Sequence, residues 1–163
     1  MTRPPILAFV LQERRFLALG FLLTLVSSFG QTFFISLSSD RLMAAFDLTN
    51  GRLGLIYSLA TLTSGLLILQ VGRIVDAFDL RWVVAGVLAG LGLAAGLVAV
   101  APVAAMLGLG FLGLRLCGQG LCGHVAMTVM ARTYGDRRGL AMSLAAAGHA
   151  AGEAALPIAT VWL

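Results

Sequence analysis

Arg115, His149 and Glu153 each interrupt a long apolar run of this 163-residue chain, and they are the residues with most chemistry to offer. An arginine guanidinium is always charged and presents a planar fork of donors that matches carboxylates and other anions. A histidine titrates near neutral pH. His149 and Glu153 are four apart, so a helix puts them on one face. Counting about 1.5 Å per residue from the inner ends of two antiparallel helices brings Glu153 and Arg115 to similar depth, with His149 about one turn away. The three are expected to form a polar cluster that binds a substrate carboxylate, a proton, or both. A structural Arg–Glu pair joining two helices is the competing reading, as is snorkelling of Arg115 to an interface.

Two further sets of polar residues have helical spacing. Thr24, Ser27, Ser28 and Gln31 fall on one face of one run, and Gly54, Tyr57, Ser58, Thr61 and Ser64 on one face of the next. Such stripes either bond a neighbouring helix or line a cavity. Gln31 and Tyr57, the largest, are assigned to a cavity. Metal chemistry has little support. His124 and His149 lie on different runs without a clear third ligand, and His124, near the end of its run, reads as interfacial. Cys117 and Cys122 are five apart, on different faces of a helix, and read as apolar filler. No phosphate-binding glycine loop is present. The chain therefore reads as no enzyme, with no cofactor and no metal.

The elements that must carry these residues follow from composition. Hydrophobic residues make up 60% and charged residues 11%, with a mean hydropathy of +0.98. A soluble domain carries roughly 25% charged residues. A chain this apolar cannot cover itself with polar surface, so lipid must be its outer solvent. Apolar stretches long enough to cross a core of about 30 Å run over roughly 16–38, 52–71, 82–101, 103–130 and 140–163. Residues 1–15 form an N-terminal segment. The first apolar stretch is too long for a signal-peptide core, so it is read as a retained span.

Charge sets the orientation. All eleven basic residues are arginine. With the N-terminus inside, Arg3, Arg14, Arg15, Arg73, Arg81, Arg132, Arg137 and Arg138 lie on the cytoplasmic side, and only Arg41 and Arg52 outside. Arginines spread between spans also argue against a nucleic-acid partner, despite a sequence pI near 10.0. The expected location is a bacterial inner membrane or plasma membrane, crossed several times with the N-terminus cytoplasmic. Gly86/Gly90, Gly92/Gly96 and Gly148/Gly152 are each four apart and are expected to form small faces for close helix packing.

The charged stretch Gly72-Arg73-Ile74-Val75-Asp76-Ala77-Phe78-Asp79-Leu80-Arg81 resembles the loop signature between the second and third helices of the major facilitator superfamily. Gly72, Asp76, Phe78 and Arg81 match and Ile74 nearly does, while Ala77, Asp79 and Leu80 depart. Arg115-Leu116-Cys117-Gly118-Gln119-Gly120 resembles that family's fourth-helix pattern, Arg-x-x-x-Gln-Gly. Gly148 and Gly152, with Pro157 beyond, are partly similar to its fifth-helix antiporter pattern, but Glu153 stands where the proline belongs. The resemblance does not extend to antiport.

The resemblance implies an all-α polytopic transmembrane helix bundle, five spans of the six-helix N-terminal half of that fold, ending inside a span as a truncated chain or fragment would. It implies secondary transport of a small solute by alternating access, and it adds Gln119 to the site residues. It makes Gly72, Asp76, Arg81 and Arg132 a cytoplasmic gating loop, with Arg132 paired to Asp76 as a latch. The partners implied are the bilayer, a small solute that Arg115 suggests is anionic, a coupling proton, and the missing C-terminal half. The alternative is a small five-helix accessory subunit complete in itself.

Overall fold

Apolar length decides the long helices. Backbone groups in hydrocarbon have no water to bond, so a spanning segment satisfies them internally as a helix. The computed structural model describes residues 5–73 and 77–161, and every element among them is helical. The order is α1 (Ile6–Gln12), α2 (Arg14–Ser27), a tight turn Ser28–Gly30, α3 (Thr32–Ser36), α4 (Ser39–Phe46) and α5 (Asn50–Val71). Then come α6 (Leu80–Val100), α7 (Ala104–Gly113), a π-helical stretch Leu114–Cys122, α8 (Gly123–Thr133), a tight turn Gly135–Arg137 and α9 (Arg138–Val161).

Among the described residues four segments are long and apolar enough to cross a membrane: Arg14–Ser36, Asn50–Val71, Leu80–Val100 and Ala104–Thr133. The fifth expected span corresponds to α9. Its 24 residues suffice in length, but His149, Glu153 and its many small residues make it less apolar, and it is not among the four. It packs along α2, the most extensive contact between two helices among the described residues. A helix covered in this way need not be as greasy as one surrounded by lipid.

Local signals set the ends. The Thr49 side chain accepts from Arg52 N at 3.3 Å and starts α5. Asp79 does the same for α6, accepting from Arg81 N at 3.0 Å. Asp47, at φ 49°, takes the left-handed conformation that ends α4.

The fourth span, α7 through α8, is the axis of the bundle. Leu107, Phe111, Cys122, Val125 and Met130, all on it, are among the largest fully buried side chains. On α5, by contrast, Leu55, Leu59, Leu62, Leu66 and Leu69 are exposed. They recur every three or four residues, a continuous outward stripe that suits a lipid solvent.

Close packing rests on glycines at particular crossings. A Cβ on Gly148 would strike the Phe21 carbonyl and the Thr24 hydroxyl. One on Gly152 would lie 2.8 Å from Ser28 Cβ. The Thr24 hydroxyl uses this proximity to donate to the Ala145 carbonyl across the seam. In α6, a Cβ on Gly90 would meet Cys117 Sγ at 2.8 Å, whereas Gly86, Gly92 and Gly96 face open space among the described residues. Among the described residues Gly90 is in a close contact and Gly86, about one turn away, is not.

Candidate functional site

The first span is broken where it crosses the fourth. After Ser28–Gly30 the chain becomes extended at Gln31 (φ −81°, ψ 153°) before α3 begins. The break lies against the π-helical stretch. A Cβ on Gly30 would lie 2.9 Å from Gly118 Cα and 2.6 Å from Gln119 N. Only a glycine-on-glycine crossing allows two backbones this close. A π-helical turn is wider than an α-turn and re-aims the side chains it carries. Here it carries Arg115, Gly118, Gln119 and Gly120.

Arg115 reaches into the break. Its Nη1 donates to the Gly30 carbonyl and to Thr32 Oγ1, each at 3.3 Å. Its guanidinium lies 5.3 Å from the Tyr57 ring centroid, a cation–π geometry. Thr32 and Tyr57 share a hydrogen bond of 2.7 Å between their hydroxyls. Tyr57 in turn stands edge-on to Phe111, with centroids 6.0 Å apart. The arginine is thus held by a carbonyl, a hydroxyl and a ring face. Among the described residues no ion pair involves it, and its Nε is buried without a hydrogen-bond partner. An arginine at mid-span costs roughly 2.5–3.5 kcal/mol to insert, and an unsatisfied buried donor adds to that cost.

Two cavities flank this cation. One of about 200 Å³ is mostly apolar, its lining including Thr32, Ile35, Leu42, Leu53, Tyr57 and Phe111. The other, of about 360 Å³, is more polar and lined by Thr61, Ser64, Ile68, Gln119 and Arg115 itself. Thr61 Oγ1 in that second cavity is also buried without a partner. Thr61 and Arg115, the residues that carry these two orphaned polar atoms, both line this cavity between α5 and the π-helical stretch.

His149 Nε2 lies 3.4 Å from Glu153 Oε1, and both side chains are partly exposed on α9. The expected cluster is resolved into two places: Arg115 bonds Gly30 and Thr32, while His149 and Glu153 bond each other. No ion pair joins Arg115 to Glu153 among the described residues. Tyr57 belongs to the Arg115 site and Gln119 to its polar cavity. Gln31 marks the break. Thr32, Gly30 and Phe111 were not foreseen. Ser27, Ser28 and Gly30 within four residues were the available signal, since Gly/Ser pairs are frequent kink sites.

The loop candidates separate as well. Asp76 lies outside the described residues, and with it the latch to Arg132, which occupies the last turn of α8. Gly72 approaches His124, whose Nε2 would lie 3.5 Å from a Cβ there. Arg81 folds back on Asp79, with Nη2 3.2 Å from Oδ2. The hydrogen bonds from the Arg81 side chain and backbone hold the Asp79 carboxyl below its usual range. No group of three or more potential metal ligands occurs among the described residues.

A model of the Major Facilitator Superfamily matches residues 20–163. The chain belongs to the major facilitator superfamily. No curated protein and no solved structure matches it at a significant level. As a superfamily member it is a multi-pass integral membrane protein whose function class is transport of a solute rather than enzymatic catalysis. The matched range includes the π-helical stretch, the break in the first span and α9, so all the polar features above lie within the superfamily's own fold.

Proposed function

We propose that this superfamily member carries a small organic anion by alternating access, with the anionic group seated on Arg115. The observation that supports it most is a mid-span arginine with no ion-pair partner among the described residues and with Nε unbonded. A fixed cation of this kind is stabilised by an incoming carboxylate, which supplies the missing acceptor and the missing charge. The flanking cavities refine the ligand. The apolar one takes a hydrocarbon or ring substituent against Tyr57 and Phe111, and the polar one takes a hydroxyl or amide against Thr61 and Gln119. The solute is therefore amphipathic.

Alternating access requires a second set of helices that closes over this site from the other side. That opposing half is part of the proposal, as are the cytoplasmic N-terminus and a gating role for Gly72, Asp76, Arg81 and Arg132. The His149–Glu153 pair provides a place for a coupling proton: protonation of either partner changes its charge, and the pair lies apart from Arg115's bonds.

Uptake by cells expressing the full gene product tests the site. A panel of small carboxylates, uncharged sugars and cationic drugs should single out carboxylates. Arg115→Ala should lower kcat/KM for them by roughly 30-fold or more, the effect of leaving a charged group without its partner. Arg115→Lys should recover part of it, because a point charge replaces the fork. Wild-type uptake by Arg115→Ala would refute the assignment.

A further inference from the structure

The N-terminal segment does more than precede the first span. Helix α1 has seven residues, about 10 Å of rise, too short to enter the membrane alone. It is nevertheless fixed in place. Phe9 stands edge-on to Tyr134 with ring centroids 5.2 Å apart. The Arg137 guanidinium lies 5.0 Å from the Phe9 ring centroid. Tyr134 also meets Phe16 at 6.2 Å, and its hydroxyl donates to Glu13 Oε2 at 3.0 Å. Burial, helped by that bond to Glu13, pushes the Tyr134 hydroxyl up to about 12, so the donor stays protonated. Helix α1 and the turn between α8 and α9 thus form one clasp.

The other side of the clasp is apolar and uncovered. Ile6, Leu7 and Leu11 are 63%, 70% and 57% exposed. At about 100° per residue, Leu7 and Leu11 lie opposite Phe9, so the face turned away from the clasp is the apolar one. Basic residues lie close to it along the chain and on the turn that α1 packs against. Arg14 and Arg15 follow α1 after Glu13, Arg137 ends the α8–α9 turn, and Arg132 and Arg138 lie on either side of it. The described acidic residues next to these five in the chain are Glu13, bonded to Tyr134, and Asp136. An apolar helix face at the mouth of a span, with arginines next to it in the chain and on the adjoining turn, suits a layer of anionic headgroups above acyl chains.

We propose that this clasp docks on anionic phospholipid at the membrane surface. Ile6, Leu7 and Leu11 insert among the upper acyl chains, while Arg14, Arg15 and Arg138 take the phosphates. In the orientation proposed above this is the cytoplasmic leaflet, which is where anionic lipid carries the negative surface potential. The clasp then fixes the α8–α9 turn to the bilayer plane.

The test is amide hydrogen exchange of the full chain in nanodiscs of phosphatidylglycerol or of phosphatidylcholine. Residues 6–12 should exchange at least about 5-fold more slowly in phosphatidylglycerol, the weight of one surface arginine. High salt should erase the difference. Arg14→Gln with Arg15→Gln should erase it too, and the matching lysine pair should keep it. Unchanged exchange in α5 and α6 certifies that each variant is folded; wild-type protein with and without salt decides the matter if the glutamine pair is not. Equal exchange of residues 6–12 in the two lipids would overturn the proposal. So would protection that appears only on adding soluble protein, which would assign the face to a protein partner.

Discussion

Gly148 and Gly152 in α9 share their spacing with Gly92 and Gly96 in α6, yet the two pairs meet different surroundings. The α9 pair is pressed against α2 so closely that a methyl group would strike main-chain carbonyls or Ser28. The α6 pair faces open space, beside the exposed Leu93 and Val100. In water a small-residue stripe on the outside would be unremarkable filler and an apolar stripe would point inward. In lipid both stripes are equally well solvated, so spacing reveals that a helix can be approached closely without telling whether it is. What closes on α9 is a neighbour with its own notch, where Thr24 donates to Ala145 across the gap.

Substitution separates the two regions most sharply. Gly148→Val should destabilise the folded protein by about 3 kcal/mol or more, because its Cβ meets backbone that cannot rotate away. Gly92→Val should stay within about 0.5 kcal/mol. Thermal unfolding in detergent compares them, and similar losses would break the distinction. Gly90 provides an intermediate case. Its hypothetical Cβ meets only the Cys117 thiol, at 2.8 Å, so Gly90→Ala should destabilise in the wild-type background and be relieved by Cys117→Ala. A double-mutant cycle should show coupling of about 1 kcal/mol; purely additive effects would mean that the sulfur gives way freely.

The smallest expected effect lies where the α8–α9 turn leads into the tight seam. The Tyr134 hydroxyl is raised from 10.0 to about 12 by burial first and by Glu13 second. A folded-state value above the unfolded one means that the folded protein favours the protonated form. Its contribution is fully present below pH 10.0 and is lost as pH rises toward about 12. Melting temperature should fall across that window in wild type, and less steeply in Tyr134→Phe. At the start of α6 the Asp79 carboxyl is held low by Arg81, so any contribution there is present at neutral pH and lost on acidification through the lowered value. That pair is exposed, and the alkaline window should leave it untouched.

Much of the fold was legible in the residues. Long apolar runs separated by arginine-bearing turns gave the long helices, because no other element satisfies its backbone in hydrocarbon. Helical spacing placed Tyr57 on a polar face, and the structure puts it against Arg115. The break at Gly30–Gln31 was harder to foresee. It depends on the π-helical stretch of a span more than eighty residues away, and the two glycines meet only when both helices are packed. The clasp of Phe9, Glu13 and Tyr134 was invisible for the same reason: each residue alone is unremarkable, and 121 positions separate the hydrogen-bonded pair.

By itself the sequence determined the solvent, since a chain this apolar has too little polar surface for water. It also set a permanent cation, Arg115, within an apolar run, because the stretch 103–130 continues for several residues on both sides of it. Only the tertiary structure decided what surrounds that cation. Hydropathy is the same toward lipid as toward a neighbouring helix, so partner choice rests on shape: a glycine notch, a widened turn, a freed carbonyl. Those features brought Gly30, Thr32 and Tyr57 to Arg115 and left Glu153 with His149.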